Sequence, residues 1–153
     1  MNDNFTLKKA LYNFCKKSIT EKINTLEQRT KSMEESRDNE TKSSAGDKFE
    51  TGRAMMQMEV EKNSRQLSEA HQVNNVLAQI EVEQDYKIVA PGSLVETSQG
   101  MYFLAIGMGK IPFEGKVYYG ISVASPIGQV MLHKEVGDGF VFNGKTVEIL
   151  GIY

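Results

Sequence analysis

The sequence carries, at residues 7–33, the run LKKALYNFCKKSITEKINTLEQRTKSM, which contains neither proline nor glycine. Its largely apolar positions recur every three or four residues, so they fall on one side of an α-helix. The stripe consists of Leu7, Leu11, Cys15, Ile19, Ile23, Leu26, Thr30 and Met33. This spacing predicts a long amphipathic helix from Leu7 to about Arg37, with either Thr6 as its N-cap or a start one or two residues earlier.

A second helix is predicted after the polar break at residues 39–46. The proline-free run from about Asp47 to Glu83 carries an apolar stripe of Met56, Val60, Leu67, Ala70, Val73, Leu77 and Ile80, with Asn63 and Asn74 near its seam. Two helices of similar length joined by a short break are expected to fold back antiparallel. Because about 30 residues at ~1.5 Å each give arms of roughly 45 Å, we expect the tip near residues 43–50 to protrude.

The pattern changes after Asp85 to short β-prone runs separated by glycine. These runs predict an antiparallel sheet with strands at residues 86–90, 101–106, 117–123, 140–142 and 145–152. Asn143-Gly144 predicts a tight hairpin turn with positive φ at both positions. Ser125-Pro126 is typical of an N-cap followed by the first helical residue, and predicts a short helix through about Leu132.

The predicted fold class is therefore α+β with two parts. Residues 1–84 form a long antiparallel α-helical hairpin, a coiled coil, and residues 85–153 form a small β domain with one short helix. A hairpin that buries its own stripes has little reason to dimerise, so we expect a monomer.

Composition narrows the function classes. The net charge of −2 and the mixture of both signs argue against a broad basic face that binds free DNA. The sequence has no 18-residue apolar segment and no signal-peptide pattern, so we expect a cytoplasmic protein that does not bind membranes. The single cysteine, Cys15, cannot form an internal disulfide.

Four segments of the C-terminal half form a recognisable pattern. Residues 119–128 read YGISVASPIG, with LHK at 132–134 and GD at 137–138, and residues 91–95 read PGSLV. This pattern resembles the C-terminal domain of the Gre transcript-cleavage factors, in which a strand ending I-S-x-x-S-P leads into a short helix. The resemblance implies a coiled-coil hairpin followed by an FKBP-like domain. It also implies that this domain docks on the rim of the RNA polymerase secondary channel while the hairpin enters the channel.

The resemblance extends to the predicted tip of the hairpin. The family motif there is close to G-D-x-x-E-N-A-E-Y, and residues 46–54 of this chain read GDKFETGRA. Gly46, Asp47 and Glu50 match the motif, whereas residues 51–53 depart from it. The match implies that Asp47 and Glu50 supply oxygen ligands to a Mg²⁺ shared with the polymerase and close to the nascent RNA. The chain alone would then be neither an enzyme nor a holder of a tightly bound cofactor.

The same tip residues allow other interpretations. Asp47 as N-cap and Glu50 three residues later also form a capping box, and a cap can still present its outer oxygens. Arg53 either pairs with Glu50 or meets a transcript phosphate. Phe49 either contacts a partner or packs across the tip.

Three methionines, Met55, Met56 and Met58, follow the tip. Methionines at helical spacing are typical of a core, to which we assign Met56, but they also form adaptable contact surfaces. Cys15 lies on the apolar stripe, so we interpret it as a packed thiol rather than a nucleophile. His71 and His133 show no metal-ligand spacing.

The resemblance also points to the docking side of the β domain. It makes candidates of the loop at residues 107–115 and of residues 122–126, with Ser122, Ser125 and Pro126 as polymerase-docking residues. The predicted function is a transcription elongation factor that stimulates RNA polymerase to cleave backtracked RNA. The alternatives are a secondary-channel regulator that does not stimulate cleavage, and a coiled-coil interaction module unrelated to transcription.

Overall fold

The computed structural model describes residues 3–41 and 46–153, without the side chains of residues 37, 40, 41 and 46–51. It divides into two compact units, Met1–Lys17 together with Asn75–Tyr153, and Ser18–Asn74. The elements are the helices α1 (Asp3–Thr41), α2 (Gly46–Ala78) and α3 (Pro126–Met131), and the strands β1 (Leu94–Thr97), β2 (Gly100–Ala105), β3 (Gly109–Phe113), β4 (Lys116–Ser122), β5 (Gly139–Phe142) and β6 (Lys145–Ile152). The predicted boundary between residues 84 and 85 stays a prediction.

The two long helices are present with bounds that differ from the predicted ones. Helix α1 begins at Asp3, an acidic residue that suits the positive end of a helix, so Thr6 lies inside the helix and its predicted N-cap role is wrong. Helix α2 ends at Ala78 instead of Glu83. There the N–H groups of Gln79 and Ile80 donate to carbonyls three residues back, each over 3.2 Å, and this tighter turn ends the α-helix.

Within the unit Ser18–Asn74 the two helices run antiparallel. Residues 32–36 of α1 face residues 55–59 of α2, whereas residues 22–29 face residues 66–69. Later positions of α1 therefore meet earlier positions of α2. The buried residues between them are Ile19, Ile23, Leu26, Val60, Asn63 and Ala70.

The six strands form one mixed sheet in the order β3-β4-β2-β1-β6-β5. All neighbouring pairs are antiparallel except β2 and β4, which run parallel with Tyr102 beside Tyr119. The expectation of a wholly antiparallel sheet is therefore wrong at this pair. The chain reverses once into β3 and again into β4, and β4 then lies between β3 and β2, so β4 keeps the direction of β2.

One predicted strand is absent, and two observed strands, β1 and β3, lie outside the predicted strands. Residues 86–90 make only a single bridge, Ile88 to Glu135, with hydrogen bonds of 2.9 Å from the Val89 N–H to Lys134 and from the His133 N–H to Val89. Strand β3 contains Pro112, which disfavours a strand, and Pro112 is tolerated because β3 is at the edge of the sheet.

A hydrophobic cluster joins the sheet to α3. Val95, Leu104, Met131 and Ile149 are fully buried in it, and Ile127 of α3 packs against them. Between β5 and β6, Asn143 and Gly144 have φ of 52° and 75°, which confirms the predicted turn. The predicted fold class, a long helical hairpin followed by a small β domain with one short helix, is confirmed. In the described part of the chain, no helix has both the length and the apolar character that crossing a membrane requires.

Candidate functional site

The predicted acidic tip falls on the start of α2. This helix begins at Gly46, so Asp47 occupies a helical position rather than the N-cap that the capping-box interpretation assigned to it. The side chains of Asp47, Phe49 and Glu50 lie outside the described residues, and their roles stay predictions. Among the described side chains, no group of three or more His, Cys, Asp or Glu is placed to hold a metal ion.

Two residues just after the tip are described. Arg53 is exposed, and Gly52 is partly buried within α2. A glycine inside a helix lowers its stability by up to about 1 kcal/mol relative to alanine. The altered residues 51–53 thus place a weak helix former and a cation directly after the two carboxylate positions.

A buried polar contact fixes the two helices against each other below the tip. Asn63 is 3% exposed, and its Nδ2 donates to the Leu26 carbonyl over 2.9 Å and to the Thr30 hydroxyl. The Thr30 hydroxyl in turn donates to the Leu26 carbonyl over 2.9 Å. Sliding one helix along the other would leave the Asn63 amide buried without these partners, so this contact sets the register of the hairpin.

The methionines after the tip divide between two environments. Met56 is partly buried between the helices, whereas Met55 and Met58 are 64% and 70% exposed. Met55 and Met56 line a cleft between the helices of about 300 Å³, together with Ser32, Met33, Ser36 and Glu59. Of the two interpretations of these methionines, the core one suits Met56 best, and the exposed pair remains available for contacts.

The N-terminal part of α1 contains a buried lysine that the sequence interpretation missed. Lys8 is 2% exposed, its Nζ donates to the Gln84 carbonyl over 2.6 Å, and it lies 4.7 Å from the centre of the Tyr86 ring. Burial lowers the pKa of Lys8, and the negative charge of Asp85 opposes that shift. The sequence carried a signal of this burial. Lys8, Leu11 and Cys15 follow each other at steps of three and four, which places Lys8 on the apolar stripe of the helix.

Cys15 is fully buried and has no disulfide partner. Burial raises the pKa of its thiol from 9.0 to about 11, and a backbone hydrogen bond opposes part of the shift. A thiol that stays protonated and shielded from solvent is a poor nucleophile, which agrees with the interpretation of Cys15 as a packed side chain.

The predicted docking serines form the cap of α3. Ser125 Oγ accepts a hydrogen bond from the Gly128 N–H over 3.1 Å and donates to the Ser122 carbonyl over 2.6 Å. Ser122 Oγ accepts from the Ala124 N–H over 3.1 Å, and Pro126 is the first residue of the helix. The N-cap prediction for Ser125 is confirmed, while the docking role of Ser122, Ser125 and Pro126 stays a prediction.

The turn from Ser122 to α3 requires a glycine at position 128. A Cβ built at Gly128 would lie 2.2 Å from the Ser122 carbonyl oxygen, which is backbone and cannot rotate away. The turn from Ser122 to Gly128 is therefore a fixed unit of capping bonds and close backbone packing. The neighbouring candidate loop, residues 107–115, contains the edge strand β3.

The chain was compared with protein families, curated proteins and solved structures. No protein-family model matches the chain, and no match was found among curated proteins. Among solved structures the chain is similar to that of the transcription factor Gfh1, with 15% sequence identity, a TM-score of 0.37, and coverage of 90% of this chain and 92% of that one. The resemblance to the Gre family therefore continues to stand on the residues quoted from the sequence.

Proposed function

We propose that this protein is a Gre-type transcription elongation factor that binds RNA polymerase at its secondary channel and stimulates cleavage of backtracked RNA. The observation that carries the proposal is the combination of two features in one chain. An antiparallel hairpin has a second helix that starts with the sequence GDKFE at residues 46–50. A mixed-sheet domain carries the Gre-like sequence ISVASPIG at residues 121–128 as a strand end, a cap and a short helix.

In this proposal the two carboxylates act together at the polymerase active site. Positions 47 and 50 are three residues apart in α2, a spacing at which helical side chains are neighbours. A second Mg²⁺, when bound there, would lower the pKa of a water molecule and offset the charge on the phosphate. Asp47 and Glu50 would recruit and orient the ion, and the polymerase and the RNA would supply its other ligands.

The hairpin is the positioning device in this proposal. The Asn63 contact with Leu26 and Thr30 fixes the register of α1 against α2, and thereby fixes which residues lie at the turn. Orientation of reacting groups contributes strongly to catalysis and is sensitive to displacements of about 1 Å. A hairpin that slips in register would present different residues to the active site.

A second candidate function is favoured by Arg53. This exposed cation follows Glu50 by three positions on α2, where it would reduce the negative charge available to a metal. The protein would then occupy the secondary channel and regulate RNA polymerase without stimulating cleavage. Exchanging Arg53 for glutamate, the type of residue in the family motif, should create or strengthen cleavage stimulation in that case.

The test is an RNA-cleavage assay on stalled, backtracked elongation complexes with purified RNA polymerase from the same organism. We expect the wild-type chain to accelerate release of short 3′ RNA fragments in Mg²⁺. Asp47→Ala/Glu50→Ala should abolish the acceleration while binding to the polymerase persists. The matched control is Glu69→Ala, which removes an exposed carboxylate of the same helix away from the tip and should leave the acceleration unchanged.

The other outcomes separate the alternatives. Binding without acceleration would favour the channel regulator, and acceleration that survives loss of both carboxylates would exclude the acidic-tip mechanism. No binding at all would leave the third interpretation, a coiled-coil interaction module unrelated to transcription.

A further inference from the structure

The methionine cleft, defined by Ser32, Met33, Ser36, Met55, Met56 and Glu59, is a surface feature that the acidic-tip mechanism does not use. It lies between α1 and α2 and is an open cleft of about 300 Å³. That volume is at the small end of the range of about 300 to 1,000 Å³ for ligand pockets, so it suits a side chain rather than a folded segment.

Two methionines at the cleft or beside it are largely exposed. Met55, which lines the cleft, is 64% exposed, and Met58, its neighbour one helical turn further along α2, is 70% exposed. Apolar side chains that extend an apolar cleft are typical of contact sites, and methionine adapts its shape to different partners. Met33 and Met56 are partly buried and form the apolar interior of the cleft.

The charge at the cleft restricts the partner. Glu59 is exposed and supplies a negative charge among the described residues that line it. A nucleic-acid phosphate would be repelled by Glu59 and would gain nothing from methionines. A symmetric contact with a second copy whose two-fold axis passes through the cleft would bring each copy's Glu59 close to the other's.

We propose that the methionine cleft receives an apolar side chain of RNA polymerase that is flanked by a lysine or arginine. This inference rests on the proposed function, since it names the contact by which the polymerase would hold the hairpin. The apolar side chain enters between Met33, Met55 and Met56, and the basic group pairs with Glu59. The interaction contributes to affinity independently of the two tip carboxylates.

The main test measures binding of the fluorescently labelled full-length chain to purified RNA polymerase from the same organism. Met55→Gln/Met58→Gln removes the apolar contacts while keeping residues that favour helix. We expect its Kd to rise at least about tenfold, the size of effect typical of contacts at the centre of an interface. The control Val76→Gln exchanges another exposed apolar residue of α2, away from the cleft, and should leave the Kd within about twofold.

Two further variants test the chemistry of the contact. Met55→Leu/Met58→Leu keeps the apolar character and should bind like the wild type within about threefold. Glu59→Gln should weaken binding and make the Kd less dependent on salt, because the proposed ion pair is lost. Circular dichroism of each variant checks that the helices remain intact.

A crosslinking measurement keeps the proposal testable if the double variant loses helicity. A photoreactive methionine analogue at position 55 should crosslink to purified polymerase, whereas a photoreactive group at position 76 should not. Absence of the crosslink at position 55 in a chain that binds would overturn the proposal.

The remaining outcomes are distinct from each other. If the wild type does not bind polymerase, both the proposed function and this inference fail. If the wild type binds and Met55→Gln/Met58→Gln binds equally well, only the cleft proposal fails. If sedimentation shows a wild-type dimer that the double variant dissociates, the occupant is a second copy and the proposal is wrong.

Discussion

The chain has a hairpin unit, Ser18–Asn74, and a sheet-containing unit, Met1–Lys17 together with Asn75–Tyr153. The two units bury their apolar side chains to different extents. In the hairpin unit the buried apolar residues Ile19, Ile23, Leu26, Val60 and Ala70 each keep between 2% and 8% of their surface exposed. In the sheet-containing unit, Leu94, Phe103, Leu104 and Ile149 are at 0%, although core residues such as Phe140 and Ile152 keep 7% and 8%. Two helices cannot fully enclose the seam between them, whereas a sheet covered by other elements can exclude water completely.

This difference implies that the two units obtain a unique structure by different means. The sheet-containing unit relies on close packing, which extends to backbone atoms at Gly128. The apolar residues between the two helices of the hairpin stay slightly exposed, and their packing would tolerate a shift of one helix along the other. The hairpin therefore relies on the buried polar contact of Asn63.

Gly128→Ala should have the largest effect. The added Cβ would lie 2.2 Å from the Ser122 carbonyl oxygen, so either α3 or the end of β4 must move. We expect a loss of at least about 4 kcal/mol in the free energy of unfolding. Urea denaturation followed by near-UV circular dichroism of the tyrosines measures it.

Gly139→Ala is the matched control for this prediction. A Cβ at Gly139 would have its nearest neighbour, the Val147 carbonyl oxygen, at an ordinary contact distance of 3.5 Å. We expect a change within about 1 kcal/mol. Equal effects of the two alanines would show that close backbone packing is not what specifies the α3 turn.

Asn63→Asp should have the next largest effect. The carboxylate cannot donate to the Leu26 carbonyl as the Asn63 Nδ2 does, and its charge is buried beside that carbonyl oxygen. We expect a loss of about 2–4 kcal/mol at neutral pH. Urea denaturation followed by far-UV circular dichroism reports on the hairpin.

A second substitution at the same position, Asn63→Leu, separates the effect on stability from the effect on register. Replacing the amide by an apolar side chain of similar size should leave the free energy of unfolding within about 1 kcal/mol of the wild type, while relaxing the register. Distances between spin labels on α1 and α2 should then broaden. A single sharp distance in Asn63→Leu would show that the register does not depend on Asn63.

The elements of the fold that local chemistry dictates could be predicted from the sequence. The proline-free amphipathic runs gave the two helices, and Ser125-Pro126 and Asn143-Gly144 gave a cap and a turn. The parallel pairing of β2 with β4 could not be predicted, because no local pattern states which strand lies beside which. Strand β3 was missed because its proline is acceptable only at an edge.

The candidate site was predictable to a smaller degree. Asn63 was visible as a polar residue near an apolar seam, but its partners Leu26 and Thr30 follow only from the antiparallel register. Lys8 was overlooked because a lysine is seldom fully buried, and it is buried here because the Gln84 carbonyl and the Tyr86 ring receive its ammonium group.

Ionisation of the Cys15 thiol at alkaline pH should change the free energy of unfolding by an intermediate amount. Burial raises the pKa of its thiol from 9.0 to about 11, so the folded state holds this proton more tightly than the unfolded state. The resulting stability is fully present below pH 9 and is lost as the pH rises through 11. Between pH 8 and pH 11, the free energy of unfolding of the wild type should fall by about 2 kcal/mol more than that of Cys15→Ala. The other titrating groups are present in both chains, so their contribution drops out of this comparison. Parallel urea curves at both pH values decide it, and equal losses would contradict the burial of the thiol.

The exposed pair of His71 and Glu27 should have the smallest effect, although it also joins the two helices. His71 Nε2 lies 3.8 Å from Glu27 Oε1, and the two side chains are 50% and 53% exposed. Water screens such a pair, so its coupling energy in a double-mutant cycle of His71→Gln and Glu27→Gln should be below about 0.5 kcal/mol. Asn63, buried in the same hairpin, should exceed this value several times. A coupling above about 1 kcal/mol would mean that surface charge pairs help to set the register, and the buried amide would then no longer suffice to explain how the hairpin aligns its tip.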